Sequence, residues 1–179
     1  MARYAAFLRG VNLGSTRKTG SAELRECFGA AGFEGVETFR TSGNVVFEAG
    51  RKPGQARIEK ALAGAFGFDV EVFVRTAAEI RAIAAEQPFD PDLVEASDGK
   101  LQVSLLHELP AAAARKKVLA LASDGDRLAF GKRELYWLPS GMMRDSGLDQ
   151  KAVGRLIGSS TMRTKGTIEL LGAKFFAED

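Results

Sequence analysis

The stretch VETFRTSGNVVFE (Val36 to Glu48) sets the reading of the whole chain. Val36 to Arg40 and Asn44 to Glu48 are β-rich and flank Ser42-Gly43, so the segment predicts a hairpin. Before it, Tyr4 to Arg9 reads as a strand and Ser21 to Ala31 as a helix. Ser21 supplies an N-cap, Glu23 lies in the first turn, and Leu24, Cys27, Phe28 and Ala31 make one apolar stripe that Gly32 ends. After the hairpin, Gln55 to Phe66 places Ile58, Leu62 and Phe66 on one helical face. Val70, Val72 and Val74 then alternate with Glu71 and Phe73 as a half-buried strand. The resulting order, βαββαβ, is the split βαβ unit of a ferredoxin-like fold.

The second half repeats this order. A helix from Ala77 to Glu86 leads into Gln87 to Lys100, which holds Pro88, Pro91, Gly99 and several acids and reads as an acidic linker. Leu101 to Leu106 is a strand, and Pro110 opens a helix at its first position with Ala114, Val118 and Leu121 inward. Arg127 to Phe130 and Glu134 to Leu138 form a second hairpin. Leu148 to Ile157 is a helix, Ser159 to Met162 a closing strand, and Thr164 to Leu171 a terminal helix. The expected class is α+β: two tandem ferredoxin-like subdomains with antiparallel sheets and an extra C-terminal helix. The division falls at 1–87, a linker over 88–100, and 101–179. The halves share architecture without clear residue identity.

Composition excludes several classes. A hydrophobic content of 45% with 27% charged residues is that of a globular domain. No stretch approaches the roughly 18 uninterrupted apolar residues of a membrane span, and MARYAAFLRG is too short an apolar run for a signal peptide. One cysteine rules out an internal disulfide framework and fits a reducing compartment, so the cytoplasm is expected. The net charge of +2 is small but unevenly spread. Up to Ala22 there are Arg3, Arg9, Arg17 and Lys18 with no acid, and Arg144 to Lys165 is again mostly basic. Glu79 to Asp98 is acidic.

Two glycine-bearing turns carry the best indication of a site. RGVNLGSTRKTG (Arg9 to Gly20) runs from a strand to a helix start, and its length, glycines and polar side chains suit an anion. Arg9, Asn12, Gly14 and Lys18 are candidate ligand-binding residues, joined by Arg40 and Asn44 around the hairpin turn. The loop matches neither a Walker loop nor a dinucleotide fingerprint, because both glycine spacings are wrong. In the second half, Ser146 and Asp149 resemble a capping box. Arg163 and Lys165 place two cations at a helix start, where the macrodipole disfavours them by about 0.3–1 kcal/mol each unless an anion lies between them. They complete the candidate set.

Other chemistry is sparse. An RNA-recognition sheet needs aromatics where Asn44 and Val46 stand, so base stacking by that route is not expected. Phe39, Phe47 and Phe73 read as core. His107 is the single histidine, Cys27 lies on an apolar stripe, and Asp90 and Asp92 look solvated. No His, Cys or acid cluster has metal-site spacing, and no cofactor is expected.

The chain resembles a bacterial family catalogued as domain of unknown function 1697. The resemblance lies in YAAFLRGVNLG (Tyr4 to Gly14), SGNVVF (Ser42 to Phe47) and the later Thr161, Arg163 and Thr167. It implies an α+β fold of two similar ferredoxin-like subdomains and implies no activity. The chain departs from the family pattern at Ser15, where a glycine is expected, and at Thr164, Lys165 and Gly166, where Asn-Trp-Asn is expected. The function expected from the residues is binding of a phosphate-bearing ligand, a nucleotide or nucleic acid, in a basic cleft between the subdomains. The alternatives are an enzyme acting on a small anionic substrate, with Ser42 or His107 moving a proton, and a protein-interaction module using a sheet edge or face, including a homodimer.

Overall fold

The computed structural model describes residues 1–12, 16–41, 43–98 and 100–177. Gly14, Ser15, Ser42 and Gly99 therefore lie outside the described residues. The chain divides into two compact units, one formed by Met1–Arg81 with the chain from Leu171 on, the other by Ala82–Leu170. Among the described residues the fold is α+β, with two four-stranded antiparallel sheets and seven α-helices.

The first unit runs β1 (Ala2–Leu8), α1 (Ser21–Ala30), β2 (Glu34–Thr38), β3 (Asn44–Ala49), α2 (Gln55–Phe66) and β4 (Val72–Thr76). Its sheet is ordered β2-β3-β1-β4, with Tyr4 opposite Phe47 on one side and Thr76 on the other. Helix α3 (Ala77–Ala85) follows β4 without a break, and α4 (Pro91–Ala96) comes next. The second unit continues with β5 (Gln102–Leu106), α5 (Ala112–Leu119), β6 (Asp126–Phe130), β7 (Glu134–Pro139), α6 (Gln150–Ile157) and β8 (Ser160–Thr164). Its sheet is ordered β6-β7-β5-β8, and α7 (Lys165–Phe175) follows β8 directly.

Side-chain periodicity builds each core. Tyr4, Ala6 and Leu8 alternate along β1 and meet Val45, Phe47, Val72 and Val74 of its neighbours, with Leu24, Cys27 and Phe28 of α1 and Ile58 and Leu62 of α2 over them. The opposite face of this sheet is closed as well, since Ala5, Phe7, Val46 and Phe73 are fully buried. Thus β4, read from the sequence as half-buried, is buried on both sides, and Phe47 and Phe73 are core residues as expected. In the second unit Leu128, Leu135 and Trp137 pack with Val118 of α5 and Val153 of α6. Val103, Leu105 and Tyr136 on the other face are again buried, so these strands present no open sheet face.

Several helix starts differ from the sequence reading. Gly20, not Ser21, is the N-cap of α1, and its N–H donates to the Glu23 carboxylate at 2.9 Å. Helix α5 begins at Ala112 with Ala111 as N-cap, leaving Pro110 outside. Asp149 caps α6 by accepting from the Ala152 N–H at 2.9 Å. Ser146 instead donates to Asp126 at 2.6 Å and accepts from the Leu148 N–H at 3.0 Å. Within the segment expected to be a linker, Asp90 caps α4 ahead of Pro91. Of these four N-caps, Asp90 and Asp149 accept a backbone N–H through the side chain, whereas Gly20 and Ala111 cap without a side-chain hydrogen bond.

Candidate functional site

Strand β1 ends where the two glycine-bearing turns meet. The Leu8 N–H donates to the Gly43 carbonyl at 2.8 Å, and the Arg9 N–H to the Glu71 carbonyl at 2.9 Å. Asn12 then clasps the turns together. Its Nδ2 donates to the Thr41 carbonyl at 2.6 Å, its Oδ1 accepts from the Thr19 N–H at 2.8 Å, and its own N–H donates to the Arg17 carbonyl at 2.9 Å. Gly43 is required by both space and backbone. At φ 73° a side chain is strained, and a Cβ there would lie 2.5 Å from Val11 Cγ2 and 3.0 Å from Leu8 Cβ.

The left-handed backbone is concentrated here. Among the described residues the non-glycine positions with positive φ are Asn12, Arg17, Arg40 and Asp98, and the first three belong to these two turns. Each costs on the order of 1–2 kcal/mol, least for Asn. Such residues persist only where the surroundings hold them, and they gather at ligand sites. The hydrogen bonds of Asn12 tie this residue to Arg17, Thr19 and Thr41 and so help to hold them.

Around this clasp stand the cations. The Arg9 side chain is about half exposed and pairs with Glu71 at 3.0 Å, a surface contact worth little in water. Arg17 lies over the Phe68 ring at 5.4 Å and Arg40 over the Phe39 ring at 5.5 Å. Both are exposed, as is Lys18. Asn44 is different: it is buried, and its Nδ2 donates to the Phe39 carbonyl at 2.8 Å, closing the hairpin from within.

Arg163 and Lys165 belong to the second unit, and both are buried. Arg163 lies on β8 rather than on the helix, and donates to Thr161 Oγ1 at 2.9 Å and to the Met162 carbonyl at 2.8 Å. Burial pulls its guanidinium pKa down to about 10. Lys165 is the first residue of α7, and its ammonium donates to the Ala84 carbonyl at 2.9 Å and to Glu169 at 2.5 Å. The unfavourable charge at the helix start is thus met by a carboxylate one turn on. Thr164 caps α7, its Oγ1 accepting from the Thr167 N–H at 3.3 Å and lying 2.8 Å from Thr167 Oγ1.

This junction has a counterpart that the sequence reading missed. Strand β4 ends in Arg75-Thr76 and β8 in Arg163-Thr164, each leading straight into a helix. Arg75 stands opposite Ala5 on β1, and Arg163 opposite Val103 on β5. Thr76 accepts from the Glu79 N–H at 3.2 Å and donates back to its carboxylate, the same capping role as Thr164. The signal was an Arg-Thr pair immediately before a helical pattern in both halves. Elsewhere, His107 follows β5 and its carbonyl accepts from Arg133 at 3.0 Å. The Cys27 thiol is buried on α1, and burial pushes its pKa up. No group of three His, Cys, Asp or Glu side chains able to hold a metal occurs among the described residues.

The chain has known relatives. A family model described as protein of unknown function (DUF1697) matches residues 1–136, a span that contains both clasped turns and stops before Thr161. The solved structure of conserved bacterial protein SP0830 from Streptococcus pneumoniae is similar over 97% of each chain, with a TM-score of 0.76 and 23% identity. At that identity the likeness concerns the fold. None of the curated proteins matches.

Proposed function

The chain belongs to the DUF1697 family, and from that premise we propose that it binds a phosphate-bearing ligand, a nucleotide or a nucleic acid, at the clasped turns of the first unit. The observation that carries this reading is the gathering of left-handed residues on two turns that hold Arg9, Arg17, Lys18 and Arg40 at one end of a sheet. Two of those residues, Arg17 and Arg40, are themselves the strained positions. Guanidinium groups match phosphate oxygens in paired hydrogen bonds, and several cations together suit the greater charge of a phosphate-bearing ligand better than one carboxylate. The proposal draws its cations from the first unit; Arg163 and Lys165 donate inside the second.

The test is titration of fluorescent nucleotide and single-stranded oligonucleotide at low salt, then at rising salt. A nucleic-acid ligand weakens with a log–log salt slope of roughly 0.7 per phosphate contacted. Replacing Arg17, Lys18 and Arg40 together by Ala is expected to weaken binding at least about tenfold, taking about 1.5 kcal/mol or more for charge-assisted contacts. Absence of binding at low salt, or an unchanged affinity in the triple variant, discards the reading.

The same proposal takes each unit as ferredoxin-like. Support comes from the connection order β1-α1-β2-β3-α2-β4 with sheet order β2-β3-β1-β4, and from its repetition in β5 to β8. A cytoplasmic location is supported by the single cysteine and by the fact that no described helix is long and apolar enough to cross a membrane.

A further inference from the structure

The first sheet has a second basic region, at its other end, and this one lines a cavity. Strand β3 runs from Asn44, beside the clasped turns, to Ala49, about 17 Å away at the usual rise per residue. Beyond Ala49 the stretch GRKPG (Gly50 to Gly54) leads into α2 and, with Met1, Gly32, Phe33 and Arg57, lines a cavity of about 630 Å³. Among the described residues three cations line it, Arg51, Lys52 and Arg57, and no carboxylate does. The first turn of α2 also contains no acid.

One of these cations is held in place. Arg57 Nη2 donates to the Ala31 carbonyl just past the end of α1, and the guanidinium lies 5.2 Å from the centre of the Phe33 ring. Gly32 makes this possible: at φ 82° it ends the helix, and a Cβ there would come within 3.1 Å of Nη2. The fixed charge of Arg57 is thus set beside the exposed side chains of Arg51 and Lys52. A monoanion would neutralise one of the three, whereas a multiply charged anion meets all of them in a space sized for a small molecule.

We propose that this hollow binds a compact polyphosphate group, either inorganic or carried by a nucleoside, independently of the clasped turns. The test is calorimetric titration at low salt with inorganic triphosphate in one arm and ATP in the other. Binding in either arm is expected, and the ratio of the two affinities identifies the source of the phosphates. In an R17A/K18A/R40A background, which removes cations of the clasped turns, adding R51A/K52A should weaken binding at least about tenfold. The charge-preserving exchange R51K/K52R should keep most of the affinity, and a variant lacking the Arg17 and Arg40 charges should bind the probe here as before. Amide shifts on titration should fall on Gly50 to Arg57. The proposal is overturned if triphosphate and ATP both fail to bind, if adding R51A/K52A to that background leaves binding unchanged, or if the shifts fall on Arg9 to Thr19 alone.

Discussion

The two sheets share one strand order but fill their cores differently, as the matching positions Phe47 and Trp137 show. Phe47 faces Tyr4 across β1, and Trp137 faces Gln102 across β5. Phe47 stands in a ring cluster, with centroids 5.9 Å from Tyr4, 5.3 Å from Phe28 and 4.8 Å from Phe33. Trp137 is instead anchored by a hydrogen bond, its Nε1 donating at 2.8 Å to Asp126, which also accepts from Ser146. Beside it a cavity of about 90 Å³ remains among Ser104, Leu128, Val153 and Gly154. The densely ringed unit is also the one that carries the long strained loop. A well-packed scaffold is what a cluster of left-handed residues needs, because the strain must be offset by surrounding contacts.

That contrast can be broken at its centre. Phe47→Ala removes the ring shared by all three aromatic contacts and should cost about 3–5 kcal/mol, read as accelerated exchange of the β1 and β3 amides. Trp137 is the single tryptophan, so its fluorescence reports directly on the second unit during the same denaturation. Equal sensitivity of the two readouts to Phe47→Ala would contradict a ring cluster confined to the first unit.

The hairpin turns sharpen it further. Gly43→Ala meets both a positive φ and the Val11 side chain, and should cost about 2 kcal/mol or more in urea unfolding. Gly131 has no positive φ, and a Cβ there would meet only the Tyr136 and Glu134 side chains, at 3.0 and 3.1 Å. Gly131→Ala should therefore cost clearly less. Similar losses at the two sites would mean that the close approach of Val11 to Gly43 has no energetic weight.

The smallest expected effect has the opposite sign. Gly64 in α2 and Gly154 in α6 are helix-interior glycines with open space where a Cβ would stand. Gly64→Ala and Gly154→Ala should each stabilise by about 0.5–1 kcal/mol, raising the thermal midpoint modestly. Both positions are exposed, so the two gains should be alike; a loss at either would show that the space there is not open.

Much of this frame was legible in the residues. The alternation of Val70, Val72 and Val74 and the stripe of Leu24, Cys27 and Phe28 mark strand and helix because burial imposes those periods. What escaped reading depended on partners distant in sequence or on competition between neighbours. Asn12 suggested a ligand contact, yet its carboxamide reaches Thr41, and nothing local in the sequence indicates that pairing. Asn44 likewise turned inward to the Phe39 carbonyl. Ser146 lost the cap of α6 to Asp149 because Asp126 and Leu148 engage its hydroxyl. The tension at Lys165 was resolvable from sequence alone, since Glu169 stands four residues on, where a helix brings opposite charges together. The Arg-Thr repeat was missed because two residues are too few to register as a repeat until their strands are aligned.

The segment from Leu171 has a consequence for biosynthesis. The Phe175 carbonyl accepts from Arg3 at 2.9 Å, the Phe176 carbonyl accepts from Arg81 at 3.3 Å, and the Phe175 ring meets Phe39 edge-on at 5.9 Å. The first unit therefore cannot complete its contacts until translation has passed the whole of the second unit and reached Phe176. Until then its earliest strands must persist as an unfinished nascent structure, exposed to chaperones and proteases while the later half is still being made.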